Sequence, residues 1–439
     1  MLRETKGDEL RTPGSGMTRR QFLGTSVGAS AGLTWLALGQ PPAVHAARRT
    51  ITMLTPVNYV PPSDVELKKQ ADAFGKQANV EIRIDSLQSV KMPTKLAAEA
   101  QSQGGHDMVI VDTHLPWFHA HNLVDMSDIS EDLEKRHGEW YGFARETAFV
   151  GDHWATVPYF YISFPGSYRK SLFEKVGEPP PDTYDVLLRA GRKLKKIGHP
   201  VGIPISQTTD AYSTLQSVLW SFGGKELAED GKTPAIRSEA TAASIEYIKA
   251  LYKDAMTSEV LSWDNAGNNR FMISGKGSWI HNPASHYIVA KNRKLAVAKD
   301  IYFTLCPAGP AGRHTVTIPR SVGIWKWSQD VALCKDFVRF LYEDKNYVDF
   351  VIAGNNYNHP IFQDMENHEV WNIDPKYKPF KSIGRYSHLY GWPAPPSDKI
   401  LVLTYSYTLP NMYAKAVTGT PTAEAMQWAE DRIKEIFQS

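Results

Sequence analysis

The alternation of hydrophobic and polar positions changes period repeatedly along the first half of the chain, and each change marks an element. "RRTITMLTPVNYV" at residues 48–60 is a short apolar run entering a polar loop, as a buried strand does. "SDVELKKQADAFGKQA" then places Leu67, Ala71, Phe74 and Ala78 on one helical face, and Ser63 and Glu66 have the spacing of a capping box that would open the helix. "VEIRID" reads as strand, "VKMPTKLAAEAQSQG" as helix and "HDMVIVD" as strand. Strands alternating with helices at this spacing predict a parallel sheet with right-handed crossovers. Ligands of such sheets sit at the carboxyl ends of the strands, here residues 55–59 and 112–117.

The aromatic stretch "WATVPYFYISFPGSYRKSLFEKVG" at residues 154–177 alternates like a strand and then turns into a charged helix. After it, "PPPDTYDVLLRAGRKLKKIG" offers Asp182 or Thr183 as a helix start, with Tyr184, Leu187, Leu188, Gly191, Leu194 and Ile197 as its apolar positions. "VGIPISQTTDAYSTLQSVLWSFGG" adds a short strand, a polar turn and another amphipathic helix. This second α/β unit predicts a second lobe, within the capacity of 439 residues that are 42% hydrophobic and 22% charged.

Residues 1–46 follow a different pattern. "TRRQFLG" carries Arg19 and Arg20 ahead of a diluted apolar run that ends at "PPAVHA", the order of a secretory signal, with cleavage expected after Ala46. The arginine pair followed by Gln-Phe-Leu resembles a twin-arginine signal, and Met17 also suits as a start of translation. Removing residues 1–46 takes five Lys/Arg and three Asp/Glu from totals of 49 and 47, so the remaining chain is formally neutral. Neutrality without a basic run argues against nucleic acid and against polyanions. Cys306 and Cys334 are the only cysteines. Two buried, unpaired thiols is the simplest expectation, although export would permit a disulfide.

The order of several segments resembles the family 1 extracellular solute-binding proteins, the maltose-binding-protein-like receptors of ABC importers. Val-Pro-Tyr leads into Tyr168-x-Lys170-x-x-Phe173-x-x-x-Gly177 and a Pro-Asp-Thr helix start; "FMISGKGSWIHNP", "SVGIWKWSQDVALCKDFVRFLYE", "GWPAPPSDKI" and "AKAVTGTPTAEAMQWAEDRIKEIF" match later elements. The resemblance spans nearly all of the chain after the signal. It implies a periplasmic-binding-protein-like α/β fold, with residues 47–161 and 311–355 in one lobe and 162–310 and 356–439 in the other. Chain crossings near residues 160–164, 308–314 and 355–360 would serve as hinges. It also implies a monomeric, exported, soluble periplasmic receptor that hands its solute to the permease of an ABC importer.

A sugar offers an apolar face and a polar rim, so its pocket combines flat rings with amides, carboxylates and hydroxyls. Candidate platforms are Tyr59, Tyr159, Tyr161, Trp220, Trp263, Trp279, Tyr357 and Trp392, of which Trp220 and Trp279 also suit core positions. Candidate hydrogen-bonding partners are Asn58, Asp112, His114, Gln207, Asp210, Asp264, Asn265 and Asn282. Where maltose-binding relatives present a Glu at the hinge, the alignment places Ile162, which argues against maltodextrin in particular. The expected ligand is a carbohydrate or polyol; a polyamine or osmolyte is the alternative, because aromatic boxes also hold cations.

Enzyme motifs fail in context. "GTSVG" at residues 24–28 falls in the signal's apolar run rather than in a strand-turn-helix, and "SGKGS" lacks the spacing of a phosphate loop. An exported carbohydrate-active enzyme would need paired carboxylates, for which only Asp112 and Asp210 could be enlisted. His119 and His121 are two apart and diverge on a helix, so neither a metal nor a cofactor is expected.

Overall fold

Three strands formed by the N-terminal apolar runs lie parallel. The computed structural model describes residues 49–438, so the expected signal peptide and cleavage after Ala46, Arg19, Arg20, Met17 and residues 24–28 lie outside the described residues. Arg49–Pro56 sits between Val80–Leu87 and Met108–Asp112, with Ile51 opposite Ile82 and Met53 opposite Met108. The rest of this seven-stranded sheet adds antiparallel pairings to the expected parallel strands. Thr315–Ile324 inserts antiparallel to both Met108–Asp112 and Val157–Ser163, and His359–Pro360 closes the edge. A second sheet of four strands runs Ile301–Thr304, Gly166–Arg169, Trp279–His281, Val201–Gly202. The chain leaves the larger sheet at Ser163 and enters the smaller at Gly166, so the aromatic stretch bridges the two. Each sheet carries its own helices, which gives two α/β lobes.

Local chemistry explains the helix boundaries. Pro61–Gln77 starts earlier than the capping box would place it: Pro61 and Pro62 occupy the first turn, where a missing N–H costs nothing, and Val60 provides no side-chain cap. Ser63 is thereby buried inside the helix. Tyr184–Lys196 starts where Thr183 Oγ1 accepts from the Val186 N–H at 3.2 Å. Its buried face holds Tyr184, Leu187, Gly191 and Leu194 as expected, whereas Ile197 is exposed. Thr209–Ser221 is buried on all sides from Ala211 onward. Cys306 and Cys334 are free and buried, and burial pushes both thiols up to about 12.

Six histidines held well down by burial shape the acid behaviour of this fold. Burial holds His281, His359 and His388 down to about 3 and His114, His119 and His286 to about 4. Unfolded imidazoles take up a proton near about 6.5. The unfolded state therefore binds more protons below that value, and the contribution of these groups to stability is lost as pH falls. Glu226, lifted by burial to about 7, Asp210, lifted to about 6, and Asp64, Asp112 and Glu146, also raised by burial, act in the opposite sense and offset part of the histidine contribution. The urea midpoint should be lower at about pH 5 than at about pH 7.5. An equal or higher midpoint in acid would contradict the burial of these imidazoles.

Candidate functional site

A cavity opens where the carboxyl ends of the parallel strands face the second lobe. From the larger sheet come Tyr59 after Arg49–Pro56, Ser89 and Val90 after Val80–Leu87, and Asp112 and Thr113 at the end of Met108–Asp112. The opposite wall is built by Thr209 and Asp210 at the start of Thr209–Ser221, by Asn265 and Pro283, and by Leu401, Thr404 and Tyr405 of Asp398–Tyr405. Ile162, Phe164, Ile318, Arg320, Tyr357 and Tyr390 complete it. Thr113 holds φ 45°, an unusual conformation for a β-branched residue, and its N–H donates to the Pro319 carbonyl at 3.0 Å.

The electrostatic centre is Arg320. Strand register sets it directly opposite Asp112 on one side and Phe160 on the other. Arg320 Nε lies 2.7 Å from Asp112 Oδ1, close enough for an ion pair, although neither atom makes a well-directed hydrogen bond. Nη1 donates to Asn58 Oδ1 and Nη2 to Ser89 Oγ, both at 3.2 Å, and the guanidinium sits 5.7 Å from the Phe160 ring. Asn58 in turn donates to Asp64 Oδ1 at 2.5 Å. Burial raises the Asp112 carboxyl and Arg320 pulls it back. On the opposite wall Asn268 Nδ2 donates to Asp210 Oδ2 at 2.9 Å and to Asn282 Oδ1 at 2.7 Å, and Asn282 Nδ2 donates to Asn269 Oδ1 at 2.6 Å. Rings, amides, hydroxyls and carboxylates thus face one space, the composition that binds a polyhydroxylated solute.

Of the residues nominated from sequence, Tyr59, Asp112, Asp210, Asn265 and Tyr357 line this cavity, and Asn282 lines a recess joined to it through Tyr59, Asp210 and Tyr357. Asn58 stands one layer behind, on Arg320. The others lie elsewhere. His114 is fully buried beside the wall. Tyr159 stacks on Phe350 at 4.7 Å and Tyr161 packs edge-on against Phe143 at 5.0 Å, so both are core; the strand presents Ile162 and Phe164 to the cavity instead. The register steps between Arg320 and Ser321, which face Phe160 and Pro158, so Tyr159 has no strand partner. Trp220 and Trp279 are core. Trp263 is 8% exposed and packs on Phe271 at 4.9 Å, and a Cβ on Gly202 would come within 2.5 Å of its ring. Trp392 stacks on His388 at 4.0 Å, away from the cavity. Gln207 is exposed and donates to Asn411 Oδ1 at 3.2 Å, and Asp264 is paired with Arg270 at 2.7 Å.

Arg320, Phe164, Tyr390 and Tyr405 were not among the nominated residues. Arg320 had a signal: in "TVTIPRSVGI" a proline and an arginine interrupt an otherwise apolar strand, as happens where a bulge re-aims a side chain. Tyr390 and Tyr405 carry no such mark.

Known proteins place this architecture. The maltose-bound MalE3 of T. maritima superposes with a TM-score of 0.75 over 88% of this chain and 99% of its own, at 20% identity. A cyclic alpha-maltosyl-1,6-maltose binding protein from Arthrobacter globiformis gives 0.72 over 89% and 99%, at 16% identity. An ABC transporter solute-binding protein from Agrobacterium radiobacter in complex with ribitol gives 0.71 over 88% and 98%, at 16% identity. No curated protein sequence matches the chain. The family model for bacterial extracellular solute-binding proteins matches residues 69–379, well over half of the sequence. Two lobes, a cavity lined from both of them and this family match lead to one conclusion: the chain belongs to the bacterial extracellular solute-binding proteins.

Proposed function

We propose that this protein captures a carbohydrate or polyol in the Tyr59–Asp112–Asp210–Arg320 cavity and delivers it to the permease of an ABC importer. The observation that carries the reading is the cavity lining, in which tyrosines and a phenylalanine stand among carboxylates, amides and hydroxyls. The maltose- and ribitol-bound structures named above support the choice of solute class. Within this reading residues 47–161 with 311–355 and residues 162–310 with 356–439 form the two lobes. They close on the solute about the crossings between them, and the receptor acts as a monomer.

Export to the periplasm through the twin-arginine route belongs to the same proposal. Among the described residues no helix is long and apolar enough to cross a membrane. Changing Arg19 and Arg20 together to Lys should leave uncleaved precursor in the cytoplasm; normal periplasmic levels would remove the twin-arginine assignment.

A thermal-shift panel of neutral sugars, polyols and polyamines tests the solute class. A ligand at about 100 times its Kd stabilises a fold by about 2.7 kcal/mol, enough to move the melting temperature clearly. At least one sugar or polyol should do so. A shift produced only by polyamines without hydroxyl groups would overturn the carbohydrate reading.

A further inference from the structure

The charges in the cavity do not balance. Asp112 and Asp210 supply two carboxylates and Arg320 one guanidinium, and no lysine or histidine lines the space. Arg320 is committed to Asp112 at 2.7 Å and to Asn58 and Ser89. Asp210 has no such partner: among the described residues its side chain accepts from the neutral Asn268 amide, and no ion pair includes it. The next charge to act on it is another carboxylate, Asp264, already held by Arg270.

One feature of the helix partly opposes the burial of the Asp210 carboxylate. Asp210 sits in the first turn of Thr209–Ser221, where the helix dipole favours a negative charge. It faces a narrow recess whose lining includes Tyr59 and Tyr357 and the polar side chains of Asn269, Asn282 and Ser285. An ammonium group has three donors and no acceptor, and it is attracted both to carboxylates and to the faces of aromatic rings. A hydroxyl could accept or donate there, but it would leave the carboxylate's charge uncompensated in a largely buried site.

We propose that the solute is an aminated carbohydrate or aminopolyol, its protonated nitrogen held in the recess by Asp210 beside Tyr59 and Tyr357. Its hydroxyls then face the Asp112–Arg320 wall and the threonines of the main cavity. The inference rests on the carbohydrate reading and narrows it. Burial lifts the Asp210 carboxyl to about 6, so it is charged at neutral pH in the unliganded protein and gains from a cation brought by the ligand.

Calorimetry at neutral pH on three matched pairs tests this: glucosamine against glucose, fully deacetylated chitobiose against diacetylchitobiose, and glucamine against sorbitol. In at least one pair the aminated member should bind about ten-fold or more tighter than its neutral counterpart, as expected for a charge-assisted hydrogen bond in place of a neutral one. Asp210→Asn, nearly isosteric and checked by its melting temperature, should abolish that preference, so that the aminated and neutral members of a pair then bind alike. Neutral members binding as tightly as aminated ones in the wild-type protein would overturn this inference and leave the carbohydrate reading standing, as would a preference that survives in Asp210→Asn. Failure of all six probes and of every sugar and polyol in the thermal panel would overturn both.

Discussion

Replacing Arg320 with Met should destabilise the unliganded fold by about 3–5 kcal/mol, the cost of leaving a buried carboxylate without its cation. The side chain is 3% exposed and that of Asp112 17%, so solvent can compensate little of the loss. Methionine keeps the apolar stem against Phe160 but removes the charge and the donors to Asn58 and Ser89. The double variant Asp112→Asn with Arg320→Met should recover much of the loss, because no uncompensated charge then remains; the two substitutions are therefore far from additive. Urea midpoints of the wild-type protein, both single variants and the double variant measure this directly. A single Arg320→Met variant within about 1 kcal/mol of wild type would mean that water reaches the pair and that it is worth no more than a surface ion pair.

Local signals carried the reading of the fold further than that of the site. Thr183 caps its helix because a cap needs only its own side chain and an N–H three residues on. The parallel strands at residues 49–112 follow from apolar runs at crossover spacing. The capping box at Ser63 failed to a competing local rule, the two prolines just upstream.

The site depends on pairings that no local window contains. Asp112 and Arg320 meet only because strands some two hundred positions apart lie in register. The four tryptophans nominated from the sequence do not line this cavity. Trp220 and Trp279 are core, Trp263 fills the space beside Gly202, and Trp392 stacks on a histidine pair, whereas the rings facing the cavity are Phe164 and tyrosines. A tyrosine can close a wall with its ring and keep its hydroxyl on a polar partner, as Tyr390 does with Ser213 at 2.8 Å.

The central claim is that the ligand sits in this cavity, and Tyr59 reports on it most cleanly. Tyr59 is 57% exposed at the rim, so Tyr59→Ala should change folding stability by less than about 0.5 kcal/mol. Stacking of a sugar face or a cation on that ring, with the area it removes from water, is worth about 1–3 kcal/mol, which corresponds to about five-fold to more than a hundred-fold in affinity. Trp392→Ala is the control: it removes a ring stacked on His388 outside the cavity and should lower the melting temperature with little effect on binding. The decisive measurement is the calorimetric Kd of wild type, Tyr59→Ala and Trp392→Ala for one solute returned by the thermal panel. The account predicts at least five-fold weaker binding for Tyr59→Ala and a wild-type Kd for Trp392→Ala; wild-type affinity in Tyr59→Ala together with lost affinity in Trp392→Ala would place the ligand elsewhere and contradict it.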